Sequence, residues 1–119
     1  MKKCLLLITG LIFIAVSSCE YKNIEPIEVE LPDEEVSFTQ QIQPIFDDKC
    51  VSCHSSTNPV LSAGDAYNNL IQGNYVNTED PEASNIYQKM LDEHPAGNSM
   101  SATERALLLK WIEEGAQDN

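Results

Sequence analysis

This chain of 119 residues has few basic side chains and only two histidines, and from residue 37 onward it has no segment with convincing β-strand alternation. Seven Lys and Arg stand against 19 Asp and Glu, which gives a net charge of −12 at pH 7. So large an acidic excess argues against nucleic acid as a partner and favours proteins with basic surfaces. Four cysteines and two histidines offer few metal ligands. We therefore expect an all-α protein whose functional chemistry rests on very few residues.

The amino-terminal residues have the features of an export signal. Two lysines precede an apolar run from Leu5 to Val16, which is too short to cross a membrane as a helix. Two serines and Cys19 follow, and "VSSC" resembles the lipobox of bacterial lipoproteins, whose signal is removed just before the cysteine. The resemblance implies a signal peptide over residues 1–18 and lipid attachment at Cys19. The alternative is an ordinary signal peptide with an incidental cysteine.

A strongly acidic segment follows Cys19. The residues from Glu20 to Glu35 include seven acidic side chains and two prolines, Pro26 and Pro32. Like charges repel along such a stretch and proline breaks regular structure, so we expect residues 19–36 to form an extended tether. A lipid anchor would then hold the protein at a bacterial membrane, facing the periplasm or the cell surface. A strand from Ile27 to Leu31 is the weaker alternative.

Residues 37–119 form the predicted folded domain. Helix start and stop signals divide it into four helical segments. We expect a helix opened by Pro44 that includes His54, one from a Ser62 cap to Gly73, one opened by Asp80 and Pro81, and one from a Ser101–Glu104 capping box to Gly115. A domain of roughly 80 residues has a small core, which disulfides, a metal or a large cofactor usually supplement.

The segment "CVSCH" is the most specific motif of the chain. On a helix, Cys50, Cys53 and His54 occupy neighbouring positions of one face, and Cys-x-x-Cys-His is the attachment sequence of haem c. Two thiols on one face can each bond a vinyl group at the same edge of a porphyrin, while the His side chain reaches the iron.

Three alternatives for this motif stay open. A zinc site needs four ligands, and the chain has no second cysteine pair and only His94 besides His54. A thioredoxin-like dithiol needs a βαβ unit, which this sequence does not indicate. A structural disulfide between Cys50 and Cys53 would leave His54 without a role.

Two longer segments carry a family resemblance. "VSFTQQIQPIFDDKCVSCH" and "HPAGNSMSATERALLLKWIEEGA" resemble the small monohaem c-type cytochromes of bacterial periplasms, and more narrowly the cytochrome c domain of planctomycete and Bacteroidetes lipoproteins. The match rests on the motif, on Phe38 and the Pro44–Phe46 stretch before it, and on the ending Trp111-Ile112…Gly115-Ala116. The resemblance implies a compact class I cytochrome fold around one covalent haem, with His54 as the proximal iron ligand.

The opposite axial ligand has three candidates. Met100 lies in a glycine-containing loop before the last helix, where the resembled family carries its distal methionine, so the resemblance implies Met100. His94 is the alternative and would give a bis-histidine haem of lower potential. Met90 ranks third, because it shares a predicted helix face with Ile86 and is more typical of a core residue.

Supporting residues are also predicted. The side nitrogen of His54 should donate to a main-chain carbonyl that fixes the ring, and Pro59 is the candidate acceptor, as in class I cytochromes. The large apolar residues are expected around the haem, unless they form an ordinary core: Phe38, Phe46, Leu61, Leu70, Leu108 and Trp111.

Together these features predict an electron carrier rather than an enzyme, with redox proteins as partners. A methionine on the iron would raise the potential and fill the site. One alternative is a small haem peroxidase or gas-binding protein with a labile sixth ligand, although the sequence shows no distal acid–base group. The other is a non-haem lipoprotein that uses Cys50 and Cys53 as a disulfide or zinc site.

Overall fold

The part of the chain that the structure describes is helical. The structure is a computed structural model that describes residues 29–92, 94–95 and 99–119. The predicted signal peptide, Cys19 and the predicted tether up to residue 28 lie outside this part. The described helices are a π-helix at Phe38–Ile42, α1 at Gln43–Lys49, α2 at Val51–His54, α3 at Ala66–Gln72, a 3₁₀ turn at Pro81–Ala83, α4 at Asn85–Leu91 and α5 at Ala102–Glu113. No strand occurs in these residues, and the all-α prediction is confirmed.

The first helical stretch begins earlier than predicted. Ser37 caps a π-helical turn by accepting a hydrogen bond from the main-chain N–H of Gln40 at 3.2 Å. The chain then passes into α1 with Pro44 in its first turn, where a missing N–H costs nothing. The predicted single helix to His54 is divided at Cys50, whose backbone leaves helical geometry at φ −120°.

The second helix begins later than the Ser62 cap suggested. Gly64 has φ +90°, which an α-helix cannot include, so residues 63–65 form a turn and α3 starts at Ala66. Ser62 still contributes, because its carbonyl accepts from the N–H groups of Asp65 and Ala66 at 3.0 Å. The helix ends at Gly73, as predicted.

The third predicted helix is divided at Ser84. Asp80 and Pro81 begin only a 3₁₀ turn, and the Asp80 side chain makes no capping hydrogen bond. Ser84 adopts an extended conformation, and its hydroxyl accepts from the N–H of Asn77 at 2.8 Å. This partly buried hydrogen bond ties the start of α4 to the preceding loop, and Ile86 and Met90 share the buried face of α4.

The last helix agrees closely with the sequence. Ser101 and Glu104 form the predicted capping box: the Ser101 side chain accepts from the N–H of Glu104 at 3.1 Å, and the Glu104 carboxylate accepts from the N–H of Ser101 at 2.6 Å. The helix ends before Gly115, whose φ of +99° reverses the chain.

Aromatic side chains join the two ends of the domain. The ring of Phe38 lies 5.2 Å from that of Trp111, 5.5 Å from that of Tyr67 and 6.2 Å from that of Phe46, measured between centroids. These separations are typical of attractive aromatic pairs. The cluster packs the π-helix and α1 against α5, and it leaves the space beside Cys50 and His54 to other residues.

The end of the predicted tether touches the domain. Val36 is buried, and its N–H donates to the Glu114 carboxylate at 2.8 Å. The Lys110 ammonium donates to the main-chain carbonyls of Pro32 and Glu34. Residues Pro32 to Val36 therefore pack along α5 in this structure. In the described ranges, no helix combines the length and apolar character needed to cross a bilayer.

Candidate functional site

The CVSCH motif lies at the bend between α1 and α2. The bend keeps the hydrogen bonds of a helix: the Cys50 N–H donates to the Phe46 carbonyl at 2.8 Å, and the His54 N–H donates to the Cys50 carbonyl at 2.9 Å. Cys50 is buried, whereas Cys53 is exposed one turn further along, and both are free thiols. The motif thus places one sulfur inside the domain and one at its surface.

The His54 imidazole is held in one orientation by the loop after α2. Its Nδ1 lies 3.0 Å from the carbonyl oxygen of Pro59 and 3.2 Å from that of Thr57. Because a carbonyl can only accept, Nδ1 carries the hydrogen and donates it. In the neutral ring this leaves Nε2 with its lone pair, which is the form that binds a metal. The predicted hydrogen bond from His54 to the Pro59 carbonyl is present.

The main chain reinforces this arrangement. The N–H of Leu61 donates to the His54 carbonyl at 2.8 Å, and the Leu61 carbonyl accepts from the Gln43 side chain at 3.0 Å. Gln43 belongs to α1, so Leu61 connects the loop that holds the His54 ring both to α2 and to α1. Such local support fixes the position of the His54 ring.

Cys50 and His54 open onto a cleft of about 260 Å³. One wall comes from the motif and the loop after it, and the other comes from α4 and its flanking residues. Most of the lining is apolar, with a polar group formed by Asn58, Asn85 and Lys89. The remaining lining residues are Pro59, Leu61, Tyr75, Ile86, Met90 and His94.

Burial governs the chemistry of Cys50. Its side chain is 3 % exposed, and the loss of hydration raises the pKa of the thiol from 9.0 to about 11. The thiol is therefore protonated at neutral pH and a weak nucleophile by itself. Cys53, at the surface, is open to reagents and enzymes that approach from solvent.

The three candidate axial ligands lie in different places. Met90 is buried in the cleft wall, on α4. His94 also lines the cleft, and its ring centroid lies 6.0 Å from that of His54. Met100 is buried at the start of α5, where its carbonyl accepts from Arg105 at 2.6 Å, and it does not line the cleft. Met100 as distal ligand stays a prediction from the resemblance.

The predicted haem-lining set only partly coincides with the cleft. Leu61 lines it, whereas Phe38, Phe46, Leu70, Leu108 and Trp111 are buried in the domain core. Sequence reasoning did not identify Tyr75, Asn58, Asn85 or Lys89 as part of this site. The sequence contained a partial indication only for α4. It predicted that Ile86 and Met90 share one face of a helix, but not that this face lines the cleft.

No conventional metal cluster is found near the motif. Over residues 29–92, 94–95 and 99–119, no three His, Cys, Asp or Glu side chains approach closely enough to hold a metal ion. The described part of the chain therefore gives no support to a zinc site at Cys50 and Cys53, which needs four protein ligands. Comparison of the chain with protein families, curated proteins and solved structures finds no match.

Proposed function

We propose that this protein is a lipid-anchored electron carrier with one haem c per chain. The observation that carries the proposal is the His54 ring, fixed through Nδ1 by the Pro59 carbonyl and placed beside a buried cysteine at a mostly apolar cleft. Nε2 of His54 keeps a lone pair for a metal, and the motif has the spacing of haem attachment. This combination fits a haem better than a zinc site, a redox dithiol or a disulfide. A structural disulfide gives His54 no use for its orientation.

The residues of the site would divide the work of holding a haem. Cys50 and Cys53 would each add a thiol across a vinyl group: a sulfur–carbon bond forms, the S–H bond breaks, and its hydrogen goes to the other vinyl carbon. His54 would offer Nε2 to the iron, and the apolar side chains of Leu61, Tyr75 and Ile86 would keep water from the site. When bound, the haem would supply reversible one-electron chemistry.

The rest of the chain supports the same role. The domain from residue 37 onward has twelve acidic side chains and four basic ones, so a redox partner with a basic surface would be attracted and oriented by charge. Cys19 would carry the lipid that holds the protein at a membrane, and the segment from Cys19 to Leu31, before the chain packs along α5, would give the domain reach. A class I cytochrome arrangement of the helices is part of this proposal.

A redox titration of the full chain, produced with cytochrome c maturation enzymes, tests this function. We expect one reversible one-electron transition per chain, followed by the haem absorption bands, and no binding of carbon monoxide to the reduced protein. An electron carrier needs a filled sixth site. Rapid carbon monoxide binding would contradict electron transfer and favour a peroxidase or gas-binding protein.

A further inference from the structure

Two histidine rings face the same cleft from opposite walls. His54 belongs to the motif, and His94 follows α4, yet their centroids are only 6.0 Å apart. Two imidazoles that share one metal through bonds of about 2.0 Å hold their nitrogens about 4 Å apart, which places the ring centroids roughly 6 Å apart. The observed spacing therefore suits a pair of axial ligands. The same spacing lies within the range of a simple aromatic contact, so an experiment must distinguish shared metal ligation from ring contact.

Local structure brings His94 to this position. The helix α4 ends at Leu91, and the carboxylate of Asp92 accepts a hydrogen bond from the His94 N–H at 2.8 Å. The other oxygen of Asp92 accepts from Lys89 at 3.2 Å. Pro95 follows, and proline disfavours the helical conformation for the residue before it. The turn that presents His94 is thus determined from both sides.

The two methionines are placed less suitably. Met100 is 5 % exposed and lies outside the cleft lining, and the Arg105 side chain is bonded to its carbonyl at the start of α5. Met90 lines the cleft, but it is 2 % exposed on the same helix face as Ile86 and belongs to the hydrophobic core. Met100 would have to leave its packing to reach the cleft. Met90 and His94 both line it already, and of these two His94 is the one whose ring lies beside that of His54.

We propose that His94 is the axial ligand opposite His54, so that the haem of this protein is bis-histidine ligated. The inference rests on the proposed haem c function and replaces the methionine that the family resemblance implied. Two imidazoles leave the iron without the thioether that raises the potential of His/Met cytochromes. The partners of this protein would then be redox centres of correspondingly low potential.

Spectroscopy of the oxidised full chain tests the ligand directly. We expect a low-spin ferric haem with the electron paramagnetic resonance signature of two imidazoles and without the Met–iron charge-transfer band. His94→Gln should abolish that signature, because the glutamine has no imidazole. In His94→Gly, added free imidazole should restore the low-spin spectrum.

Matched variants test the two methionines as alternative ligands. Met100→Leu and Met90→Leu keep the size and apolar character of their positions, and both should leave the bis-imidazole spectrum unchanged. A charge-transfer band in the unmodified protein that disappears in either variant would overturn the proposal, as would an unchanged spectrum in His94→Gln.

Failure of this inference is distinguishable from failure of the haem proposal itself. A haem stain of each variant after denaturing electrophoresis reports covalent attachment, which depends on Cys50 and Cys53 and not on the sixth ligand. A stained band with a Met–iron spectrum refutes His94 ligation and leaves the electron carrier intact. An unstained band in the unmodified protein refutes both.

Discussion

The space beside Gly73 is too small for the methyl group of an alanine. Gly73 ends α3 with φ −81° and ψ 1°, a conformation that any residue adopts, so glycine is not needed there for backbone reasons. A Cβ at this position would lie 2.4 Å from Cε2 of Tyr75 and 2.7 Å from both Cδ2 of Tyr75 and the Asn69 carbonyl oxygen. Carbon atoms in contact prefer about 3.5–4.0 Å, so the Tyr75 ring must move by roughly 1 Å.

The free energies can be set against each other. Replacing Gly73 by alanine restricts the unfolded chain and by itself stabilises by about 0.4–1 kcal/mol. Forcing a methyl group into filled space costs about 1–3 kcal/mol. We expect Gly73→Ala to be destabilised by about 1–2 kcal/mol, with Tyr75 displaced in the wall of the cleft.

Urea unfolding followed by circular dichroism measures this cost, and a double-mutant cycle assigns it. In a Tyr75→Ala background, Gly73→Ala should lose the part of its penalty that comes from the Tyr75 ring and keep the part that comes from the Asn69 carbonyl oxygen. Gly64→Ala is the matched control: nothing lies within 4 Å of its Cβ, but its φ of +90° strains alanine. Its penalty should be the same in both backgrounds. An undiminished Gly73→Ala penalty without Tyr75 would refute the contribution assigned to the Tyr75 ring.

Three further predictions follow from local contacts. Ser101→Ala removes the capping acceptor for the Glu104 N–H and should lower the free energy of unfolding by about 1 kcal/mol in the same assay; an unchanged urea midpoint would contradict it. Leu108→Ala, at 1 % exposure, should cost about 2–5 kcal/mol, whereas Leu91→Ala, at 53 % exposure, should stay within about 0.5 kcal/mol. Equal effects of these two leucines would contradict the assigned core. In the haem-free chain, alkylation resolved by mass spectrometry should label Cys53 well before Cys50, because a pKa raised from 9.0 to about 11 lowers the Cys50 thiolate fraction about 100-fold; faster labelling of Cys50 would contradict its burial.

Features encoded by neighbouring residues were predictable from the sequence. The capping box of α5 needs only Ser101 and Glu104, and the stop signals at Gly73 and Gly115 act within one turn. In these cases the interacting groups are close in the chain, so a local rule is sufficient. The hydrogen bond from His54 to the Pro59 carbonyl also spans only five residues, but it was predicted from the resemblance to class I cytochromes.

Features that depend on tertiary packing were not predictable in this way. The turn at Gly64 and the break at Ser84 moved two helix boundaries, and the Ser84 break accompanies a hydrogen bond to Asn77 that no helix rule includes. Phe38 and Trp111 pack against each other across the domain rather than at the cleft, although both are apolar enough for either place. Hydrophobicity selects buried residues, but it does not select their partners.

The position of His94 illustrates the same limit. The separation of His94 and His54 along the sequence does not indicate that their rings lie close together. Their proximity depends on the folding of both the turn after α4 and the loop after α2. The sequence therefore favoured Met100, from its place in a glycine-containing loop before the last helix and from the family resemblance. The position of His94 in the cleft, beside the His54 ring, provides a separate reason to propose His94 as the axial ligand.

The central claim, a covalent haem at Cys50 and Cys53, has one direct measurement. The full chain, expressed with haem-maturation enzymes, is separated by denaturing electrophoresis and stained for haem, together with a Cys50→Ser/Cys53→Ser variant and a Cys19→Ser control. We predict a stained band in the unmodified protein and in Cys19→Ser, and none in the double variant, because only thioether-linked haem survives denaturation. An unmodified protein without stain would contradict the account and return CVSCH to a disulfide or metal site.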